Sequence, residues 1–196
     1  VGEAQAWIPE LVAKARSLTV GAGHDNPDLG PVISRAARDR IHGLIAGGIE
    51  EGARLELDGR NPVVAGYGQG NFVGPTVFSG VKPGMAIYDQ EIFGPVLALL
   101  PWKDEDDLIA QCNDNMFGLA SGIWTRDFKS AWRIGRALQT GTVWINTYKV
   151  FSISTPFTGV KMSGYGQEKG RLGILEYTSQ KSFYWGLNEA PMPWCL

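Results

Sequence analysis

The chain has few of the residues that build metal centres and disulfide frameworks. Its 196 residues include two cysteines, Cys112 and Cys195, and two histidines, His24 and His42. The cysteines form no CxxC pair, and the histidines are too few for a zinc site with the usual ligands. We therefore predict no metal centre, and we expect each histidine to be a surface or helix residue. Two unpaired cysteines favour a reducing compartment, so we predict a cytoplasmic protein.

Long apolar runs and blocks of like charge are also absent. No stretch approaches the ~20 apolar residues that cross a bilayer. The formal net charge is -2, and lysine and arginine form no basic run or stripe. Membrane and nucleic-acid partners are therefore not predicted. The first residue is Val1 rather than Met, and no signal-peptide pattern follows it. We infer either a removed start or a piece of something longer.

What the chain does contain is ordinary globular composition, with 44% hydrophobic and 19% charged residues. Apolar residues at helical spacing predict helices at 7–18, from about 34 to 51, after 104–106, and at 127–138. Alternating or short apolar segments predict strands at 53–58, 72–78, 96–100, 115–125 and 141–146. Strands that alternate with helices predict an α/β fold, a largely parallel sheet flanked by helices. On the helix after 104–106, Cys112 is predicted to face inward as an inert core thiol.

The segment 89–95 places a carboxylate, an aromatic ring and a Gly-Pro turn between two predicted strands. Pro95 restricts its own φ and biases Gly94 away from helix, and Gly94 can adopt angles closed to other residues. We expect this turn to orient Glu91 and Phe93 at a sheet end, where α/β proteins bind ligands. A Glu there can accept hydrogen bonds from a ribose, and a Phe can lie against a flat ring. The alternative is a surface Glu and a core Phe.

Residues 90–96, Gln-Glu-Ile-Phe-Gly-Pro-Val, resemble the signature of NAD(P)-dependent aldehyde dehydrogenases. The resemblance implies that Glu91 binds the nicotinamide ribose and that Phe93 packs near the nicotinamide ring. It also implies NAD or NADP as cofactor, and no residue in this chain distinguishes the two.

Two later segments strengthen the resemblance. Residues 141–146, Gly-Thr-Val-Trp-Ile-Asn, are similar to the family's Gly-Thr-Val-Trp-Val-Asn. Residues 156–168 resemble its Pro-Phe-Gly-Gly-x-Lys-x-Ser-Gly-x-Gly-Arg-Glu, with Thr158 in place of a Gly and Gln167 in place of the Arg.

In the family, the loop between these two segments lines the aldehyde tunnel. The resemblance therefore implies that Tyr148, Phe151 and Phe157 are walls of the substrate pocket, although periodicity alone equally allows core residues. Lys149 lies in the same loop, and it either favours an anionic aldehyde or faces solvent.

The family's nucleophile motif, Gly-Gln-x-Cys, does not occur in the chain, and neither Cys112 nor Cys195 matches it. The resemblance thus covers the C-terminal part of the catalytic domain at 1–176 and an oligomerisation strand with its tail at 177–196. We predict no catalytic residue in this chain, and we expect the chain alone to be inactive. Residues 176–185 partly alternate like an edge strand, which in the family joins a partner subunit and forms a dimer or tetramer.

Two other functions stay open from the sequence. One is a non-catalytic oligomerisation or interaction module with the same fold. The other is a related reductase of acyl phosphates or thioesters, which the loop after Asn146 and the motif at 161–164 make weaker. The opening residues 1–11 and the loop 28–34 resemble the methylmalonate-semialdehyde branch, whereas the second half resembles general non-acylating members.

Overall fold

The computed structural model describes residues 2–187, so Cys195 and the end of the predicted tail lie outside the described residues. The chain divides into two compact units, one ending at Asn115 and the other beginning at Met116. The boundary predicted at 176/177 concerns function rather than compactness, and it stays a prediction.

The helices of the first unit begin where the sequence offers a cap or a proline. A 3-10 helix, Gly2–Trp7, leads into α1, Ile8–Arg16, whose first turn contains Pro9. Helix α2 spans Arg35–Glu50, and the Ser34 hydroxyl accepts a hydrogen bond of 3.1 Å from the Ala37 N–H. The short helix α3 is Ala86–Asp89, and α4 is Glu105–Asn113, capped by the Asp104 carboxylate. Helices α1, α2 and α4 occupy the positions that the apolar spacing predicts, whereas α3 is not predicted from the sequence.

A three-stranded sheet packs in the same unit. Its strands are β1 (Arg54–Leu57), β2 (Thr76–Ser79) and β3 (Val96–Ala98), in the order β1-β2-β3. Strand β1 is antiparallel to β2, and β2 is parallel to β3. The buried core lies among β1, β2, α2 and α3: Ile41, Ile45, Ala53, Val73, Phe78, Val81, Met85 and Ile87.

Apart from a 3-10 helix at Gly23–Asp25 in the first unit, the remaining helices and strands of the described residues belong to the second unit. They are β4 (Phe117–Gly118), β5 (Ala120–Ile123), α5 (Phe128–Ala137), β6 (Thr142–Ile145), β7 (Val160–Lys161) and α6 (Gly170–Leu175). Strands β5 and β6 are parallel and joined by α5, and β4 is antiparallel to β7. Ala131 and Ile134 of α5 are buried, as is Trp144 of β6.

The α/β class is confirmed, because parallel strands are joined across helices in both units. The sheets are smaller and more mixed than predicted, since two of the four ladders among residues 2–187 are antiparallel. No helix within the described range is long and apolar enough to cross a bilayer. No cluster of three or more His, Cys, Asp or Glu side chains in that range could hold a metal ion.

Two expectations about single elements differ from the structure. Cys112 is exposed rather than inward-facing, because no residue of α4 is fully buried, although partial burial still raises the pKa of its thiol. The predicted edge strand at 176–185 forms no ladder within the described residues, and 178–187 are neither helix nor strand. A strand is defined by its hydrogen-bonded neighbour, so this segment could be a strand only when paired.

Candidate functional site

The predicted site residues belong to two segments in different units. We call residues 89–95 the cofactor loop; it leads from α3 into the amino end of β3. We call residues 147–157 the aromatic loop; it follows the carboxyl end of β6. Glu91 and Phe93 lie in the first, and Tyr148, Phe151 and Phe157 lie in or at the end of the second.

The cofactor loop is bound to helix α2 by one side chain. The Arg40 guanidinium donates through Nη1 to the Glu91 carbonyl oxygen at 3.0 Å and through Nη2 to the Ile92 carbonyl oxygen at 2.6 Å. Because both acceptors are main-chain oxygens, these bonds leave the Glu91 carboxylate available to a ligand. Sequence reasoning missed Arg40, because it is 51 residues from Glu91 along the chain.

Phe93 has an unusual conformation for its residue type. Its φ is +54°, in the left-handed region, and its side chain is 77% exposed. This backbone conformation costs an L-residue about 1–2 kcal/mol, and strain of this kind concentrates at functional sites. The alternative of a core Phe is therefore excluded within this unit. An exposed ring beside an exposed carboxylate fits a ligand with a flat ring and hydroxyl groups.

The structure explains the glycine at position 94 by close packing rather than by the conformational freedom that the sequence analysis predicts. Its φ is not positive, so conformational freedom is not what selects glycine here. A Cβ at this position would lie 2.7 Å from Cδ1 of Ile41, which is fully buried in α2. Gly94 therefore permits the loop to pass directly against α2.

The location of the cofactor loop also differs from the expectation. Ligands of α/β sheets bind outside the carboxyl ends of the strands, whereas Glu91 and Phe93 precede β3 and so lie at its amino end. The general rule about sheet ends therefore gives no support for a ligand site at this loop. The support comes from the conformation and exposure of the loop itself.

The aromatic loop does lie where that rule places ligands. Strands β5 and β6 are parallel, and their carboxyl ends are joined by Asn146 and Thr125. The Asn146 side chain accepts from the Thr125 N–H and donates to the Thr125 carbonyl, each at 2.9 Å. Asn146 has a φ of +53°, which turns the chain out of β6 and into the loop.

Aromatic rings pack edge to face along this loop. The Trp144 ring centroid lies 5.2 Å from that of Tyr148 and 5.3 Å from that of Phe151, and Phe151 lies 5.2 Å from Phe157. The Trp144 indole N–H donates to the Val150 carbonyl at 2.8 Å. Trp144 is the buried anchor of the cluster, a role that sequence reasoning did not assign. The three predicted residues are thus brought together.

Trp144 is much more buried than the aromatic residues that pack against it. Trp144 is 8% exposed, whereas Tyr148 is 53% and Phe151 is 48% exposed. Tyr148 and Phe151 therefore combine contact with the Trp144 ring and a large accessible surface.

Two lysines lie over these rings. The Lys169 ammonium is 4.0 Å from the Phe151 ring centroid and 6.0 Å from that of Phe157. The Lys149 ammonium is 5.7 Å from the Tyr148 ring centroid. Cations at these distances interact favourably with the ring faces.

The described residues contain one cysteine, and it lacks the setting of a nucleophile. Cys112 lies on α4, and burial raises the pKa of its thiol, which disfavours the reactive thiolate. Two shallow grooves, lined by residues of α1 and of α5, contain none of the predicted site residues. Neither candidate segment contains a cysteine.

Residues 3–183 match the sequence model of the aldehyde dehydrogenase family. This chain belongs to the aldehyde dehydrogenase family. The match extends through both units and both candidate segments, so the motifs that resemble the family belong to one continuous relationship.

Relatives within the family are similar over nearly the whole chain. The DhaS protein of Bacillus subtilis (strain 168) is 41% identical over 183 residues, which cover 93% of this chain and 36% of that protein. A betaine aldehyde dehydrogenase of Brucella melitensis biotype 2 is 38% identical over 191 residues, or 97% of this chain and 39% of that protein. The chain therefore spans less than two fifths of the length of these relatives.

Solved structures of the family show the same fold. The NAD+ complex of an aldehyde dehydrogenase from Bacillus cereus superimposes with a TM-score of 0.88 at 34% identity, over 95% of this chain and 37% of that one. A betaine aldehyde dehydrogenase mutant from Staphylococcus aureus in complex with NAD+ gives a TM-score of 0.91 at 30% identity, over 98% of this chain and 38% of that one.

Proposed function

We propose that this chain is the C-terminal part of an NAD(P)-dependent aldehyde dehydrogenase, which oxidises an aldehyde to a carboxylic acid. The observation that carries the proposal is the aromatic cluster at the carboxyl ends of β5 and β6, with Tyr148 and Phe151 about half exposed, in a chain of this family. Tyr148, Phe151 and Phe157 are the proposed pocket walls, and Trp144 holds them from beneath.

The cofactor loop is the proposed contact with the nicotinamide end of the dinucleotide. The Glu91 carboxylate would accept hydrogen bonds from ribose hydroxyls, and the Phe93 ring would lie against the nicotinamide. Two features support this: both side chains are exposed, and solved relatives are NAD+ complexes. The bound cofactor supplies the hydride acceptor, and the residues of this chain bind and orient it. NADP is the alternative cofactor.

Aldehyde oxidation also needs a thiolate nucleophile, an oxyanion site and a general base. We propose that none of these comes from this chain, because Cys112 is unsuited and no family nucleophile motif is present. Residues 1–196 alone are expected to form no NADH from any aldehyde. NADH production that Cys112→Ala or Cys195→Ala abolishes would contradict this assignment.

The test of the proposed function uses the full-length protein that carries this chain. We expect aldehyde-dependent NADH formation, with Glu91→Gln raising KM for the cofactor or lowering kcat about tenfold through lost ribose contacts. Glu50→Gln is the matched control, because Glu50 is an exposed carboxylate at the end of α2. No cofactor binding and no aldehyde turnover by the unaltered protein would instead favour the non-catalytic module.

The charge of the aromatic loop supports a further choice among aldehydes. Betaine aldehyde, the substrate named for several relatives, is a quaternary ammonium compound, and such cations bind to open aromatic faces. Here Lys169 and Lys149 already lie over those faces. We therefore propose that the pocket prefers a neutral or carboxylate-bearing aldehyde to betaine aldehyde.

Replacement of one lysine tests this preference. In the full-length enzyme, Lys169→Met is expected to lower kcat/KM for a carboxylate-bearing aldehyde relative to a neutral aldehyde of equal length by about tenfold, since a nearby charge is lost. Lys129→Met, an exposed lysine on α5, is the control. An unchanged ratio, or a preference for betaine aldehyde in the unaltered enzyme, contradicts the proposal.

We also propose a cytoplasmic homo-oligomer, a dimer or tetramer, assembled through the segment 176–185. The large exposed side chains of Phe183, Tyr184 and Trp185 support an interface there, because a monomer rarely exposes such a patch.

A further inference from the structure

We propose that Arg40 is the positioning residue of the cofactor loop: it holds the main chain so that Glu91 and Phe93 face the cofactor. The holding role depends on geometry alone, whereas its effect on cofactor binding rests on the proposed function.

The geometry of Arg40 suits this role. One guanidinium joins two consecutive carbonyl oxygens, those of Glu91 and Ile92, at 3.0 and 2.6 Å. Two bonds from a planar fork define direction as well as distance, which a lysine ammonium does not do. The bonded carbonyls immediately precede Phe93, so they determine where its backbone begins.

The loop requires such a restraint at this point. Phe93 occupies the left-handed region at φ +54° while its ring is largely exposed, so burial of the ring does not hold it there. Strained conformations persist only where surrounding contacts determine them. Arg40 supplies contacts before Phe93, and the next residue of α2, Ile41, meets Gly94 after it. Adjacent residues of one helix thus hold both sides of Phe93.

The rigid support for this restraint is α2 itself. Ile41 is fully buried in the core, and the helix is capped by Ser34. Arg40 transmits that rigidity to residues 91–94, which belong to no helix or strand. Its main-chain bonds also leave the Glu91 carboxylate free to contact a ligand.

The first experiment measures the loop without cofactor. The full-length protein is digested with chymotrypsin, and cleavage after Phe93 is quantified by mass spectrometry against cleavage at other exposed aromatic residues. Proteases need an extended, mobile segment, so Arg40→Ala is expected to accelerate cleavage after Phe93 several-fold, and Arg40→Lys is expected to do so partly. Arg35→Ala, an exposed arginine at the start of the same helix, should leave it unchanged. Equal cleavage in Arg40→Ala and the unaltered protein overturns the holding role.

The second experiment separates positioning from direct contact with the cofactor. NADH affinity is measured by fluorescence for Arg40→Ala, for Glu91→Gln/Phe93→Ala and for the triple variant. Arg40→Ala alone should weaken binding about tenfold, as misplacement of contact groups does, while KM for the aldehyde stays unchanged. In the Glu91→Gln/Phe93→Ala background the same change should cost far less, because Arg40 acts through these two side chains of the loop. Additive losses would show direct contact and overturn the positioning role.

Failure of the proposed function and failure of the holding role of Arg40 give different results. If the unaltered protein binds neither NADH nor NADPH, the proposed function fails, while the cleavage result still decides whether Arg40 holds the loop.

Discussion

At the residue scale, Gly94 of the cofactor loop leaves no room for a side chain beside Ile41 of α2. The three Ile41 side-chain carbons that a Cβ would meet lie 2.7, 3.1 and 3.2 Å away. Ile41 is fully buried, so it cannot withdraw into solvent to make room. A methyl group at Gly94 must therefore displace the loop, the helix or both.

Gly94→Ala is expected to destabilise the protein by about 1–3 kcal/mol, the usual cost of overpacking. The double variant Gly94→Ala/Ile41→Val removes Cδ1, the nearest atom, and should recover part of that loss. Chemical unfolding of the four proteins measures the coupling, with Ile41→Val alone as the control at about 0.5–1.5 kcal/mol. A simple sum of the two single losses would show that the predicted clash does not occur.

At the scale of elements, the junction between β5 and β6 decides where the aromatic loop begins. Asn146 combines two side-chain hydrogen bonds to Thr125 with a left-handed backbone. Asparagine tolerates this conformation better than most residues do. The side-chain bonds and the left-handed backbone conformation therefore affect the stability of this junction separately, and two substitutions distinguish their effects.

Asn146→Gly removes the two side-chain hydrogen bonds but still permits the left-handed backbone conformation. Asn146→Ala removes the same two bonds and also makes that conformation unfavourable. We expect Asn146→Ala to be the more destabilising variant by about 1 kcal/mol, because a left-handed Ala is strained. Thermal unfolding of the full-length protein measures the difference. If the two variants lose equal stability, the backbone conformation of Asn146 is not a constraint on the loop.

At the scale of the whole molecule, contacts within the described residues do not account for the sequence pattern and exposure of the segment 176–185. It has an alternating pattern and large exposed aromatic residues, yet it forms no ladder within the described residues. Long unpaired strand edges promote association unless they are blocked. The proposed pairing with another subunit would account for both the pattern and the exposure.

Proline substitution tests that pairing, because proline cannot donate to a ladder. Successive N–H groups of a strand point to opposite edges, so Ser182→Pro and Phe183→Pro, made separately, include one at the paired edge. That variant is expected to lower the molar mass of the full-length protein in analytical ultracentrifugation. Phe183→Ser is the control for the lost ring. An unchanged mass in both proline variants would place the subunit contact elsewhere.

Sequence reasoning succeeded where the determining interactions are local. Helices α2 and α4 begin close to where the sequence predicts, and in each the capping hydroxyl or carboxylate and the N–H that it accepts from are three residues apart. Apolar spacing located α2 and α5, and alternation located β1 and β6. The family motifs likewise lie in short continuous segments, so the residue order alone was enough to select Glu91, Phe93 and the aromatic loop.

Tertiary structure alone decided the contacts between distant segments. Arg40 binds carbonyls 51 and 52 residues away, and Gly94 is required by a side chain of another helix. Cys112 carries helical spacing typical of a buried position, yet its exposure depends on what packs against α4. Periodicity determines which residues share a face of an element, but it carries no information about which neighbour covers that face. For this protein the sequence by itself determined the family, most of the helices and strands, and the candidate binding residues, and only the packing of α2 against the cofactor loop determined what holds Glu91 and Phe93 in place.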